Sequence, residues 1–202
     1  LASGEDLGDP ALFPAHEGPG REQVQILTSG PNRTRNLIQE MCFNSIAVAK
    51  RRIWIASPYF SPDPSVHLAL KTAALSGVEV IVIMPYHSDS RLVKLASLSY
   101  VEELLQAGVK FVQYTKGFIH AKVMIIDGLL ASVGTANMDM RSFGLNLEIS
   151  MLVRGEEFVS EMRAVEDEYR SLSRELTLEE WMQQPLRSTV LDNLARLTSA
   201  LQ

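Results

Sequence analysis

The sequence lacks several features that would assign it to common protein classes. Cys42 is its only cysteine, so no intrachain disulfide can form and the composition favours a reducing compartment. No apolar run approaches the roughly 20 residues that a membrane-spanning helix needs. The net charge of −5 argues against a general nucleic-acid-binding protein, which would need a basic surface. His16, His67 and His87 have no metal-ligand spacing, and we predict neither a metal nor another cofactor.

The sequence does contain enough apolar residues for one folded domain. Its 202 residues are 46% hydrophobic, which suits a single domain with or without a tail. Residues 1–22 combine glycine, proline and acidic residues without periodicity, which is typical of a flexible linker. We therefore predict a linker over 1–22 and a domain over 23–202. The start Leu-Ala-Ser-Gly suggests a piece of a longer protein.

Apolar periodicity predicts strands that alternate with helices and then a group of consecutive strands. The first strands are expected at 24–27, 52–57, 78–85 and 109–114, with helices at about 34–51, 63–77 and 90–108 between them. Three further strands follow in FIHAKVMIID, LLASVGT and LEISMLV, and the last helices are expected at 156–176 and from about 185. The fold class predicted is α/β, a mixed β-sheet flanked by helices on both faces.

Two polar residues interrupt the apolar strand pattern of Ile119 to Met124. Because side chains alternate along a strand, His120 and Lys122 are expected on one face, about 7 Å apart along the strand. Such a pair is costly to bury unless an anion satisfies it. On its own, the His-x-Lys pair leaves a structural and a functional interpretation equally open.

Residues further along the chain favour the functional interpretation. Gly134-Thr135-Ala136-Asn137 offers a hydroxyl and an amide after one strand, and Glu148 is a lone carboxylate in the next. Phosphodiester transfer needs a nucleophile, donors to the non-bridging oxygens and a group that fixes the imidazole tautomer. Glu148 is the expected acceptor for the second ring nitrogen of His120. Asp127 follows the strand end, where a structural role is favoured over a catalytic one.

The spacing His-x-Lys, four residues, Asp, six residues, Gly-Thr-x-Asn resembles the second HKD signature of the phospholipase D superfamily, with Thr135 at a position that is often Ser. The segment HAKVMIIDGLLASVGTAN carries it. SPYFSPD, SYVEELLQAGVKFVQY and LTLEEW are similar to bacterial cardiolipin synthases in particular. The resemblance extends from about Gln23 to the C-terminus. It implies a phospholipase D-like (HKD) domain, the C-terminal half of an enzyme with two signatures.

That resemblance implies a phosphatidyl transfer between two phosphatidylglycerol molecules, which gives cardiolipin and glycerol through a phosphohistidine. The implied catalytic residues are His120, Lys122, Asp127, Asn137 and Glu148, and the implied substrate-binding residues are Thr135, Tyr59 and Arg141. For Tyr59, ordinary loop packing is an equally good interpretation. For Arg141, an ion pair with an acidic neighbour is slightly favoured.

The resemblance also implies partners and a location. The partners are phosphatidylglycerol, cardiolipin and an N-terminal half that carries the first HKD motif, with a homodimer as a further possibility and no nucleic acid. The full-length protein would lie in the bacterial cell membrane through segments preceding this chain, with this domain on the cytoplasmic side. Two alternatives stay open: another phospholipase D-type enzyme, or a half-domain that is inactive without its partner half.

Overall fold

The computed structural model describes residues 8–12, 20–32, 34–87 and 100–183. The strands are β1 (Gln23–Ser29), β2 (Arg52–Ala56), β3 (Phe60–Ser61), β4 (Glu79–Pro85), β5 (Lys110–Tyr114), β6 (Val123–Ile126), β7 (Leu130–Gly134), β8 (Met138–Asp139), β9 (Glu148–Arg154) and β10 (Ser173–Leu176). Eight of them form one sheet in the order β1-β9-β7-β6-β2-β4-β5-β10, and β3 pairs with β8. β2, β4 and β5 are parallel neighbours, whereas the other pairs of the large sheet are antiparallel. The sheet is therefore mixed, as predicted.

Capping residues set the bounds of several helices. The helices are α1 (Leu37–Val48), α2 (Pro64–Leu75), α3 (Val101–Gln106), α4 (Met140–Gly144), α5 (Glu156–Ser171) and α6 (Leu178–Met182). Asp63 caps α2 by accepting a hydrogen bond from the Ser65 N–H at 2.8 Å, and proline occupies the first turn of that helix. Thr177 and Glu180 form the capping box that their sequence spacing predicts at the start of α6.

Helices cover both faces of the sheet, which confirms the predicted layering. On one face, α1 and α2 contribute Ile38, Ile46 and Leu70 to the larger apolar core. On the other face, α5 places Val159 in a second core against Trp54 of β2. Central strands are therefore buried on both sides, as their continuous apolar runs predict.

Two predicted elements differ from the structure. The strand of the His-x-Lys segment begins only at Val123, so His120 and Lys122 precede it. The predicted helix 156–176 ends at Ser171, and Leu176 lies in β10, paired with Phe111 of β5. Pairing with β10 satisfies the free edge of β5 with backbone hydrogen bonds, a gain that helical periodicity could not reveal.

Some predictions fall on residues that the structure does not describe. The expected helix 90–108 is described only from residue 100, and the expected helix from about 185 lies outside the described residues. Of the predicted linker, residues 8–12 contain a short 3₁₀ helix and residues 20–22 lead into β1. Within the described parts of the chain, no helix is both long enough and apolar enough to cross a bilayer.

Candidate functional site

The His-x-Lys segment lies just before β6, beyond the end of the neighbouring strand β2. Pairing between β2 and β6 stops at Ala56 and Val123, while on the other side the Gly134 N–H still donates to the Lys122 carbonyl at 3.2 Å. His120 is consequently exposed and Lys122 half-buried. The imidazole is open to an incoming substrate, and the lysine stem is held by the sheet.

Lys122 and His120 lie on the same side of the chain, as strand alternation predicts. Lys122 Nζ is 3.0 Å from each ring nitrogen of His120 and donates to the His120 carbonyl at 2.9 Å. Burial lowers the pKa of Lys122, while the carboxylates of Glu148 and Asp139 oppose that shift. The pair thus places a cation beside the imidazole, where an anionic substrate would need it.

Glycine at position 134 permits the close approach of β7 to β9. A Cβ atom there would lie 2.4 Å from Ser150 Oγ and 2.5 Å from the Ile149 carbonyl oxygen. Directly after it, the Thr135 N–H donates to the Ile149 carbonyl at 2.9 Å, and the Ile149 N–H donates to Thr135 Oγ1 at 3.0 Å. The Gly-Thr pair therefore anchors the turn on β9, beside Glu148.

Glu148 is held by neighbours other than the histidine. Its two carboxylate oxygens accept hydrogen bonds from the Thr135 hydroxyl and, at 3.1 Å, from Asn146 Nδ2. The expected hydrogen bond from a ring nitrogen of His120 to Glu148 is not formed, and the Thr135 hydroxyl and Asn146 Nδ2 are the donors to this carboxylate instead. The charge of Glu148 acts on Lys122 instead.

Asn137 is fixed by the start of α4. Its backbone N–H donates to Ser142 Oγ at 3.1 Å. Burial raises the pKa of the nearby Asp139 carboxyl, and the Asn137 side chain is among the groups that oppose this rise. Asn137 Oδ1 is buried without a hydrogen-bond partner among the described residues. The sequence prediction included Asn137 and missed both of its partners, although Asp139 two residues later was a visible carboxylate.

Asp127 is at the opposite end of β6 from the histidine. Its carboxylate accepts the backbone N–H groups of Lys50, Arg51 and Arg52 at 2.8, 2.7 and 2.8 Å. Burial raises its pKa, but these backbone hydrogen bonds outweigh that effect and hold the pKa below its usual value. The structure does not bring Asp127 to His120. Its contacts instead secure the connection between α1 and β2.

Two aromatic rings extend from the histidine. The ring centroid of Phe118 is 5.7 Å from that of His120 and 6.3 Å from that of Tyr59. Phe118 is 39% exposed, so this apolar surface is accessible. Sequence reasoning singled out Tyr59 and missed Phe118, which the alternation of an extended segment places on the same side as His120.

Arg141 is connected to the site through Asn146. Arg141 Nε donates to Asn146 Oδ1 at 3.2 Å, and the same amide donates to Glu148. The favoured ion pair of Arg141 with an acidic neighbour is not formed among the residues that the structure describes. Over those same ranges, no group of three or more His, Cys, Asp and Glu side chains is arranged to hold a metal ion.

Comparison with known proteins connects this geometry to a family. The family model described as "Cardiolipin synthase, PLD-like domain" matches residues 42–169. The cardiolipin synthase of Geobacillus kaustophilus (strain HTA426) is 41% identical over 201 residues, which cover 96% of this chain and 40% of that protein. The chain thus spans about 40% of the length of the curated relatives that it matches.

Solved structures share the fold at low sequence identity. Nuc of Salmonella typhimurium, a phospholipase D family member, is 18% identical with a TM-score of 0.67, covering 78% of this chain and 99% of that one. The phosphatidylserine synthase of Haemophilus influenzae Rd KW20 is 15% identical with a TM-score of 0.71, covering 91% and 49%. These likenesses confirm a phospholipase D-like α/β fold.

Proposed function

The chain belongs to the family of cardiolipin synthase phospholipase D-like domains, and from this premise we propose that it supplies one of two half-sites for phosphatidyl transfer. Two phosphatidylglycerol molecules would react to give cardiolipin and glycerol. The observation that carries this proposal is the exposed imidazole of His120 with the ammonium of Lys122 3.0 Å from its ring nitrogens.

The reaction requires two imidazoles. One attacks phosphorus and forms a P–N bond, while the other gives its proton to the departing glycerol oxygen. In the second step, the now neutral second imidazole takes the proton of a phosphatidylglycerol hydroxyl, whose oxygen attacks phosphorus and breaks the P–N bond. His120 fills one of these roles. The other belongs to a histidine outside this chain, because no second His-x-Lys occurs in the sequence.

The groups around His120 suit the negative charge of a phosphodiester. Lys122 and Asn137 hold the non-bridging oxygens, with the Thr135 hydroxyl assisting and Arg141 at the edge of the site. Glu148 balances the charge of Lys122 and fixes Thr135 through its hydrogen bond. Preorganised donors of this kind stabilise charge that develops in the transition state.

Tyr59 and Phe118 are the surface on which we place the lipid glycerol and the first part of the acyl chains. Their rings form a continuous apolar row with the imidazole, and an apolar row limits the access of water. Exclusion of water matters because a water molecule that replaced the lipid hydroxyl would turn transfer into hydrolysis. We place the enzyme at a bacterial cell membrane, with this domain on its cytoplasmic side and residues 1–22 as the linker to the other half.

An exposed apolar patch at the edge of the sheet is a candidate surface for the other half. We define the β1–β9 patch as Val24, Ile26, Leu147 and Ile149, which are 52%, 57%, 83% and 48% exposed. Ile149 pairs with Thr28 and Ile26 pairs with Met151, so the strand members share one face of the sheet. Glu148 precedes Ile149 in β9, so strand alternation directs its side chain to the opposite face of the sheet. Apolar side chains exposed together on one face are typical of an interaction site. We assign it to the half that carries the first HKD motif.

The test compares this chain alone with the full-length protein that contains it. Cardiolipin and glycerol are measured with phosphatidylglycerol vesicles, and the oligomeric state is determined by analytical ultracentrifugation. We expect turnover by the full-length protein and none by the monomeric chain. Turnover by a dimer of this chain would make a second copy the partner half. Rapid turnover by a strict monomer would overturn the half-site proposal, and phosphatidate without cardiolipin would favour the phospholipase alternative.

One substitution locates the partner surface in the same experiment. Ile26→Asp places a charge in the β1–β9 patch, where Ile26 is 57% exposed. The control is Leu129→Asp, because Leu129 is 59% exposed and lies in the turn between β6 and β7, away from the patch. When the two halves are supplied separately, Ile26→Asp should raise the concentration needed for half-maximal activity and Leu129→Asp should not. If the two substitutions had equal effects on that concentration, the β1–β9 patch would not be part of the interface.

A further inference from the structure

Asp139 is a buried carboxylate next to the site for which helix capping is an incomplete explanation. It is 6% exposed and caps α4 by accepting the Ser142 N–H at 2.6 Å. Ser, Thr or Asn would cap the helix as well without burying a charge, and a buried charge is costly unless hydrogen bonds or opposite charges compensate it. Burial raises the pKa of Asp139, so its charge depends on the neighbours that stabilise it.

The hydrogen bonds of Asp139 all lead to Asn137 or to its support. The carboxylate accepts the Ser142 N–H at 2.6 Å. Burial raises the pKa of Asp139, and its interactions with Ser142 and the Asn137 side chain oppose that rise. Ser142 Oγ in turn accepts the Asn137 N–H at 3.1 Å. Because a carboxylate only accepts, it determines that Asn137 presents its nitrogen rather than its oxygen to Asp139.

Asp139 also acts on the charge of Lys122. The charged and titratable groups that face the Lys122 ammonium are His120 from its own segment, Glu148 from β9, Asp139 from β8 and Cys42 from α1, which lines the same small cavity. Burial, with a smaller effect of Asp63, raises the pKa of Cys42 to about 12, so its thiol is neutral at pH 7. Two carboxylates therefore oppose the desolvation of one ammonium.

We propose that Asp139 is a positioning residue for the transfer reaction, one that holds Asn137 in place through Ser142 and, together with Glu148, places negative charge opposite the ammonium of Lys122. This inference rests on the proposed function, since both residues through which it acts belong to that site. Asp139 itself does not reach the reacting atoms. The backbone pairing of Ser61 with Asp139 fixes its position between the loop after β2 and the start of α4.

The test is Asp139→Asn in the full-length protein, with kcat and KM for phosphatidylglycerol measured from pH 6 to pH 10. Asn keeps an oxygen for the Ser142 N–H but removes the charge. We expect kcat to fall roughly 10- to 100-fold with little change in KM, as for other losses of orientation around reacting groups. Loss of a nearby negative charge lowers the pKa of Lys122 further, so the alkaline limb of the kcat profile should move to lower pH.

Asp63→Asn is the matched control, because Asp63 is also a buried N-cap (8% exposed), its carboxylate accepts hydrogen bonds at the start of α2, and it is not among the groups that shift the pKa of Lys122. This variant should leave the alkaline limb of the kcat profile at its normal pH. Ser142→Ala is the second variant, which keeps the charge of Asp139 and removes the hydroxyl that accepts the Asn137 N–H. We expect it to lower kcat without moving the alkaline limb. Unchanged kcat and an unmoved limb in Asp139→Asn would overturn the inference.

A failure of the proposed function is distinguishable from a failure of this inference. If the unsubstituted protein forms no cardiolipin, the proposed function is wrong. The Lys122 side chain can still be titrated by NMR, with Lys122→Arg identifying its resonance. A lower Lys122 pKa in Asp139→Asn than in the unsubstituted protein would support the electrostatic role of Asp139, and an identical pKa would contradict it. Should Asp139→Asn fail to fold, Asp139→Ser retains the cap and allows the same measurement.

Discussion

The two ends of β6 use ionisable residues in opposite ways. At its start, His120 is exposed, and among the residues that the structure describes Lys122 donates only to the histidine, so both are available to a ligand. At its end, Asp127 accepts three backbone N–H groups with its carboxylate. One continuous signature therefore contains two side chains that are open to a ligand and one carboxylate that holds the backbone. Hydrogen bonds already formed within the fold determine which of these polar residues can bind a ligand.

The largest expected effect is at the start of β6. His120→Ala should lower phosphatidyl transfer by the full-length protein at least about 10³-fold, because an imidazole is needed for attack or for proton transfer. The midpoint of thermal unfolding should not change, since the ring is exposed. His87→Ala, at another exposed histidine, is the control and should keep the normal rate. Normal transfer by His120→Ala would show that the site is elsewhere.

A smaller effect of a different kind is expected at the end of β6. Asp127→Asn should lower the free energy of unfolding by about 2 to 3 kcal/mol, because one amide oxygen cannot satisfy three backbone donors. The φ of +55° at Asp127 is tolerated by Asn, so the backbone is not further strained. Urea denaturation measures the loss. The folded variant should transfer phosphatidyl groups at the normal rate, and a large loss of kcat without loss of stability would place Asp127 in the reaction.

The difference in unfolding free energy between the unsubstituted protein and Asp127→Asn should depend on pH in one direction. The pKa of Asp127 is lowered in the folded state, where backbone N–H groups from Arg52, Lys50 and Arg51 outweigh the opposing effect of burial. Its stabilising contribution is therefore complete above the unfolded pKa of about 3.9 and is lost as the pH falls through the folded value. The gap between the unsubstituted protein and Asp127→Asn should be constant at neutral pH and close below about pH 4.

The smallest effect is expected beside the start of the strand. Glu148→Gln can still bond with Thr135 and Asn146, but it removes a charge that supports the ammonium of Lys122. We expect transfer to fall about 10-fold, or roughly 1.4 kcal/mol, with normal stability. Single-turnover rates at pH 7 measure this, and Glu157→Gln on the exposed start of α5 is the control. A loss as large as that of His120→Ala would indicate that Glu148 contacts the imidazole during the reaction.

Much of the fold follows from local sequence patterns. Continuous apolar runs predict the strands that are buried on both faces, and Asp63-Pro64 and Thr177 to Glu180 predict the helix starts that the structure confirms. The patterns are informative because each reports on a period, a cap or a turn within a few residues. The predicted end of α5 was wrong. The apolar periodicity continues to Leu176, but pairing with β5 makes that residue part of a strand.

The site was predictable to the extent that it lies within one strand and the turns beside it. Alternation correctly placed His120 and Lys122 together. The expected contact between Glu148 and His120 was not found, since the orientation of a carboxylate depends on which donors surround it. The role of Thr135 as the donor to Glu148 and the presence of Phe118 beside the imidazole also required the tertiary structure.

Short-range periodicity and fixed spacing predicted the fold class, the His-x-Lys pair and the family to which the chain is similar. Which polar groups stay free depends on contacts between segments that are distant in the chain. The partners of Asp127 come from about 75 residues earlier, and the hydroxyl that donates to Glu148 belongs to Thr135, in the turn after the neighbouring strand β7. Hydrogen bonds between distant segments have no local pattern, and they separate the residues that can react from those that hold the fold.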